Sequence, residues 1–319
     1  GPAVEEVRTI RGAPGRLDVH FSIDTTGSFG GEIDALQSEL SARIIPAIED
    51  RVADVAFGVS RFEDFDLSPF GSEGDDPFEL LSAITTDRGR TRAAVARRDK
   101  PFGSGGDGPE SGYEALFQIA TGFGYTSDGI VWIAPQRESR IGGVNFRPGA
   151  IHAIVHATDA PSHVPGDYAP ALPGTHGFAD VVESMAAIDA VVLGISSHDR
   201  ARSQLESLAL TTGAHIPATS TQCATGQGGE THPARSGRCP LVFDVQSDGT
   251  GLSSAIVDGL VGLLDTVTFG EVYGQAVDDR LGFVRAIEAL SAIPPEGVTA
   301  PDVADRRPVD GVLDTFLGV

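Results

Sequence analysis

Residues 17–28 read LDVHFSIDTTGS. An apolar run, 17–23, passes directly into Asp24-Thr25-Thr26-Gly27-Ser28, and an amphipathic segment, 32–51, follows. The run predicts a buried strand. In the segment, Ile33, Leu36, Leu40, Ile44, Ile45 and Ile48 share one stripe, which predicts a helix. The same alternation continues along the chain. Residues 55–62, 151–158, 190–196 and 241–245 read as strands, and 90–98, 111–121, 178–188, 200–210 and 251–264 as helices. Strands alternating with helices predict an α/β fold: a Rossmann-like, doubly wound, mostly parallel sheet flanked by helices.

The character changes near residue 268. Residues 266–273 alternate like an edge strand, and 283–290 fit a helix or a strand equally well. Pro294, Pro295, Pro301 and Pro308 punctuate the rest. This divides the chain into a domain over 14–268 and an extension, or part of an adjoining domain, over 269–319.

Composition narrows the function. Forty-five acidic against 23 basic residues give a net charge of −22. Such a chain repels phosphate backbones and anionic membranes, which argues against nucleic acid as a partner and favours divalent cations. No run of about 18 apolar residues is present, so the sequence predicts no membrane insertion. Lys100 is the only lysine, which fits GC-rich coding and a bacterial source. The Gly1-Pro2 start resembles the scar of tag cleavage, so a signal segment would lie outside this fragment. The two cysteines, Cys223 and Cys239, sit in a polar, Gly-rich stretch. A disulfide there, worth about 3 kcal/mol, is favoured over two unpaired thiols and would place the protein outside the cytoplasm, secreted or at the cell surface.

The chemistry concentrates at predicted strand ends. In a parallel sheet, ligands bind at the carboxyl edge. Asp24, Thr26 and Ser28 alternate along the turn after the first strand, so their oxygens can converge; the plainer reading is a helix cap. A carboxylate and two hydroxyls are hard oxygen donors suited to Mg²⁺ or Mn²⁺. The run Gly105-Gly106-Asp107-Gly108-Pro109-Glu110 precedes a helix, and Thr158-Asp159-Ala160-Pro161 closes a strand. Each adds a carboxylate to the edge where Asp24 must lie.

On these motifs the chain resembles the von Willebrand factor A (VWA) domain family, and within it the I-like domain of the integrin β subunit. The resemblance rests on D-x-T-x-S at Asp24, Thr26 and Ser28, on D-x-P-E-x-G from Asp107 to Gly112, and on Thr158-Asp159. It implies a metal-ion-dependent adhesion site (MIDAS) made of Asp24, Thr26, Ser28, Glu110 and Asp159. Thr26 and Ser28 would bind the ion directly, Glu110 directly or on ligand binding, and Asp24 and Asp159 through water or by orienting the hydroxyls. A cation met by neutral hydroxyls stays electrophilic, so a partner's carboxylate would complete its shell. The resemblance also implies a second site of Asp64, Asp107 and Glu110, preferring Ca²⁺. The family's asparagine two positions before Asp107 is Gly105 here. The family's third site has two adjacent acids where this chain has Gly31 and Glu32, with Asp34 nearby; Glu32 then complements the helix dipole.

Other residues carry weaker expectations. Glu63, Asp66, Glu73, Asp75 and Asp76 read as a solvated acidic loop around Asp64. His152 and His156 share a strand face and read as a hydrogen-bonded pair beneath a helix rather than metal ligands. His163 reads as an exposed residue able to contact a ligand carboxylate. Arg137, Arg140 and Arg147 lie in the long connection 122–148, a candidate specificity loop in which Trp132 packs; they either grip an acidic ligand or serve solubility. The expected function is a metal-dependent adhesion module and not an enzyme. A hydrolase using the same carboxylates is the alternative, without a nucleophile elbow, an H-E-x-x-H set or a phosphate loop to support it. A purely structural role for the ion is the other.

Overall fold

The computed structural model describes residues 16–97, 103, 105–136, 140–268, 273–278 and 284–291. Six strands form the central sheet: β1 (Leu17–Asp24), β2 (Val55–Phe62), β3 (Glu79–Thr85), β4 (Ile151–Thr158), β5 (Ala190–Ser196) and β6 (Val242–Asp244), in the spatial order β3-β2-β1-β4-β5-β6. Only the β2–β3 pairing is antiparallel. Helices flank the sheet, and the fold is Rossmann-like α/β, as the strand–helix alternation predicts. Edge strand β3 escapes the sequence reading.

Both faces of β1 are buried, although Leu17, Val19, Phe21 and Ile23 alternate with Asp18, His20, Ser22 and Asp24. The polar row survives burial because each member finds a partner. Asp18 meets Arg147, His20 Nε2 lies 2.9 Å from Ser60 Oγ, and His156 Nδ1 lies 3.0 Å from Ser22 Oγ. Burial holds the His20 and His156 rings down to about 3, so both are neutral. The expected His152–His156 pair does not form. His152 Nδ1 lies instead 2.7 Å from the Ile188 carbonyl.

The first helical stretch is three segments in succession: α1 (Gly30–Glu39), a π turn (Leu40–Ile44) and α2 (Ile45–Glu49). All six residues of the predicted stripe are buried. The π turn falls within this stripe and ends at Ile44, next to Ile45, and both are buried. Further helices are α3 (Arg88–Val95), α4 (Gly112–Thr121), the single turn α5 (Pro165–Tyr168), α6 (Phe178–Ala187), α7 (Asp199–Thr212) and α8 (Leu252–Thr268). Of the expected strand over 266–273, residues 266–268 belong instead to α8, residues 269–272 lie outside the described residues, and Tyr273 opens a strand. Among the described residues, no helix is long and apolar enough to cross a membrane.

The long connection 122–148 contains a hairpin, Tyr125–Ser127 with Ile130–Ile133, turned by Asp128 and Gly129 at positive φ. Its Trp132 meets Phe65 edge to face at 5.7 Å. Cys223 and Cys239 form the favoured disulfide.

The chain divides into two units, one spanning Gly15–Leu263. The other comprises Gly1–Pro14 and Leu264–Val319, where the described residues form an antiparallel pair, Tyr273–Asp278 with Val284–Ser291. The second of these resolves the open choice over 283–290 as a strand.

Candidate metal centre

The sheet order changes direction between β1 and β4, so the crevice above their carboxyl ends is the natural ligand site. Asp24 ends β1, and Thr158 ends β4 one position beyond the partner of Ile23. Two parallel bridges bring in the other loops: Thr26 pairs with Gly103, and Glu110 with Ser162. The five residues of the first expected site meet at this crevice. Four of them, Thr26, Ser28, Glu110 and Asp159, line a cleft of about 450 Å³ together with Asp107 and Arg200.

Hydrogen bonding there is directional. Thr26 Oγ1 donates to Asp24 Oδ1 at 2.6 Å, and Ser28 Oγ donates to Asp159 Oδ1 at 3.1 Å. The two hydroxyl oxygens stand 3.3 Å apart, within reach of a hydrogen bond that either can donate, and each leaves a lone pair to share when its proton turns to its carboxylate. Two donors bound at about 2.1 Å to one octahedral ion stand about 3.0 Å apart, close to this spacing. Asp24 is saturated otherwise: Thr26 N donates to Oδ1 at 2.9 Å and Thr158 Oγ1 to Oδ2 at 2.6 Å. Its geometry is that of a residue which aims hydroxyls rather than one which binds an ion itself. Glu110 is 5 % exposed, and its Oε2 has no hydrogen-bond partner.

Electrostatics describe a site short of positive charge. Burial pushes Asp24 up to about 7, with hydroxyl hydrogen bonds opposing and Asp159 adding to the rise. Burial pushes Glu110 up to about 10, reinforced by Asp24, Asp64, Asp75 and Asp159. A dication would offset both effects, so the donor set, the hydroxyl spacing and the orphaned Glu110 oxygen fit a hard metal ion.

The second expected cluster differs from its sequence form. Asp64 and Asp107 come together, but the third group beside them is His163; one donor atom from each lies within 4.8 Å of the others. His163 is 4 % exposed, which corrects its expected exposure. Asp64 Oδ1 accepts from the Tyr168 hydroxyl at 2.7 Å and from Phe65 N at 2.6 Å. Burial pushes Asp64 up to about 7 against those hydrogen bonds. Gly105 stands in the left-handed region beside this cluster. Its φ is +58°, and a Cβ there would stand 2.9 Å from Glu110 Oε1.

The acidic loop is solvated at Asp66 and Glu73 but not throughout. Glu63 and Asp75 are buried. Glu63 accepts from Thr25 Oγ1 and from Asp76 N, and Asp75 from Ser72 N and Gly105 N. These carboxylates tie the loops that carry the site. Glu32 is fully buried, and both its carboxylate oxygens lack a hydrogen bond in the geometry although Ser197 is its neighbour.

No family model matches the chain. No curated protein matches it either. Among solved structures the chain is similar to proximal thread matrix protein 1 (PTMP1) from the mussel byssus, at 12% identity and a TM-score of 0.43. That alignment covers 86% of this chain and 50% of the other, so the chain spans half that protein's length. A likeness so distant bears on neither family nor function.

The arginines distribute unexpectedly. Arg137 lies outside the described residues. Arg140 is exposed and does not line the cleft. Arg147 grips Asp18 and Asp54 near the start of β1. The basic residue lining the cleft, among those described, is Arg200, in the first turn of α7. A signal was present: Arg200 follows a predicted strand at its carboxyl edge.

Proposed function

We propose that the chain is a metal-dependent binding module of the VWA type, similar to the integrin β I-like domain. It holds Mg²⁺ or Mn²⁺ at Asp24, Thr26, Ser28, Glu110 and Asp159, and through that ion takes up a carboxylate of a partner protein. The observation that supports the reading is the pair of hydroxyl oxygens 3.3 Å apart, each within hydrogen-bond distance of a carboxylate that can take its proton. Such a pair offers lone pairs to one ion without forming a closed anionic cage. The ion, when bound, supplies a Lewis-acidic position for an anionic oxygen. The chain's residues do the rest. Asp24 and Asp159 aim the hydroxyls, Glu110 brings a carboxylate to the cleft wall, and exposed Arg200 presents positive charge at its rim. The disulfide supports an extracellular or cell-surface setting.

The test is adhesion with its metal dependence. Proteins bearing exposed Asp or Glu, captured by the full chain in Mg²⁺, should be lost in EDTA and weakened at least tenfold by Thr26→Ala. Thr26→Ala should leave metal-free unfolding within about 2 kcal/mol of the parent, because a methyl and one hydrogen bond are removed while Asp24 keeps its bonds from Thr26 N and Thr158. Capture that survives EDTA sinks the proposal.

A further inference from the structure

We propose that His163, Asp64 and Asp107 form a second metal site that takes a borderline dication such as Zn²⁺, in place of the Ca²⁺ expected of an all-oxygen site. This deepens the reading of a metal-dependent module and rests on it for the neighbouring hard ion. His163 Nε2 lies 3.1 Å from Asp107 Oδ1 and 3.3 Å from Asp64 Oδ2. Donors about 2.1 Å from one ion, at tetrahedral to octahedral angles, stand about 3.0–3.4 Å apart. Both distances fall in that interval without rearrangement.

The imidazole is also aimed. Its other nitrogen, Nδ1, lies 3.3 Å from Asp167 Oδ2, and that oxygen is held by Val164 N at 2.9 Å. A carboxylate holding Nδ1–H turns the Nε2 lone pair outward, the arrangement found behind metal-bound histidines. Tyr168 and Phe70 pack the ring at centroid distances of 4.6 and 5.5 Å.

Independent of the cluster itself is an unmet acceptor. Asp64 is 0 % exposed, its Oδ1 is already served by Tyr168 and Phe65, and its Oδ2 points at this position without a hydrogen bond. A single Nε2–H of an unmetallated ring serves Asp107 and leaves Asp64 Oδ2 orphaned; an ion serves both. The donor set then selects the metal. Ca²⁺ and Mg²⁺ take oxygen, whereas imidazole favours Zn²⁺ and its spectroscopic stand-in Co²⁺.

Co²⁺ titrated into the metal-stripped full chain in excess Mg²⁺ should give visible d–d absorption, bleached by stoichiometric Zn²⁺ and not by millimolar Ca²⁺. His163→Gln should weaken Co²⁺ binding at least tenfold. Should that variant not fold, Asp167→Asn decides: the side chain is half exposed, and its loss should weaken Co²⁺ binding about tenfold with metal-free unfolding unchanged. Displacement of Co²⁺ by Ca²⁺, or parental Co²⁺ affinity in whichever of these two variants folds, overturns the assignment. Failure of the first site is separate: it would abolish the Mg²⁺ response in unfolding while the Co²⁺ band persists.

Discussion

At the start of β1, Asp18 is fully buried and Arg147 answers it, donating from its backbone N and its Nε at 2.6 Å each. The same guanidinium reaches Asp54, which Arg16 also holds at 2.7 Å. Burial still lifts Asp18 against the pull of Arg147, while Asp54 is held below the usual carboxylate range by hydrogen bonds from Arg147 and Arg16. At the far end of the same strand, Asp24 is equally buried and receives only hydroxyl and amide donors. Among the described residues, no arginine or lysine pairs with Asp24, Glu110 or Asp159. The chain thus answers buried Asp18 with its own arginine and, among the described residues, gives the acids at the other end of the strand none; on the function proposed above, a cation from outside takes that place. An isolated buried charge is costly, and this contrast is what the proposed metal site accounts for.

The largest test of that contrast lies at the finished end. Arg147→Met should cost about 3–5 kcal/mol in urea unfolding, because it strands Asp18, and Mg²⁺ should not restore it. A cost under about 1 kcal/mol would break the comparison. Next in size is the metal itself. At one hundred times its dissociation constant, Mg²⁺ should stabilise the parent by about 2.7 kcal/mol and leave Asp24→Ala unmoved. An equal gain in both proteins would remove Asp24 from the site.

The smallest effect is in pH. Asp24, Asp64 and Glu110 keep protons in the folded state that the unfolded chain releases in the ordinary carboxylate range. Stability of the metal-free protein therefore falls as pH rises through that range, past about 7 for the two aspartates and on to about 10 for Glu110. Each group contributes at most about 1.4 kcal/mol per pH unit. Between pH 7.5 and 9 the slope should be mainly that of Glu110, and Glu110→Gln should flatten it. Stability that rises with pH over this interval would contradict the assignment.

Much of the fold was legible because burial writes itself into sequence. The 17–23 run and the six-residue stripe of the first helical stretch locate the sheet and its neighbour. Strand β3 was not legible: six of its seven residues are only half buried, so no apolar run announces it. The 125–133 hairpin carried a readable sign in Asp128-Gly129, a turn pair that favours positive φ, set between Tyr125 and Ile130. That three acidic loops share one sheet edge was legible from their places after strands; the membership of the five-residue cluster came from the resemblance to VWA motifs. The place of His163 was not legible, because its burial depends on Phe70, Tyr168 and Asp64 arriving from elsewhere in the chain, and nothing local records that. The buried roles of Glu63 and Asp75 were hidden likewise; an acid that binds loop amides looks the same in sequence as one in water.

His20 and His156 set a limit of a different kind. Sealed inside the sheet and neutral until about pH 3, they refuse protons that an unfolded chain accepts from about 6.5 downward. Each therefore drains stability by up to about 1.4 kcal/mol for every unit of acidification, in the direction opposite to the crowded acids above them. From about pH 6.5 to 4.5 the three acids outweigh the two histidines; below about 4 the histidines drain stability together with Asp54, whose carboxylate is held below the usual range. Acid attacks this molecule from within its sheet, and alkali from the buried acids at the sheet's carboxyl edge.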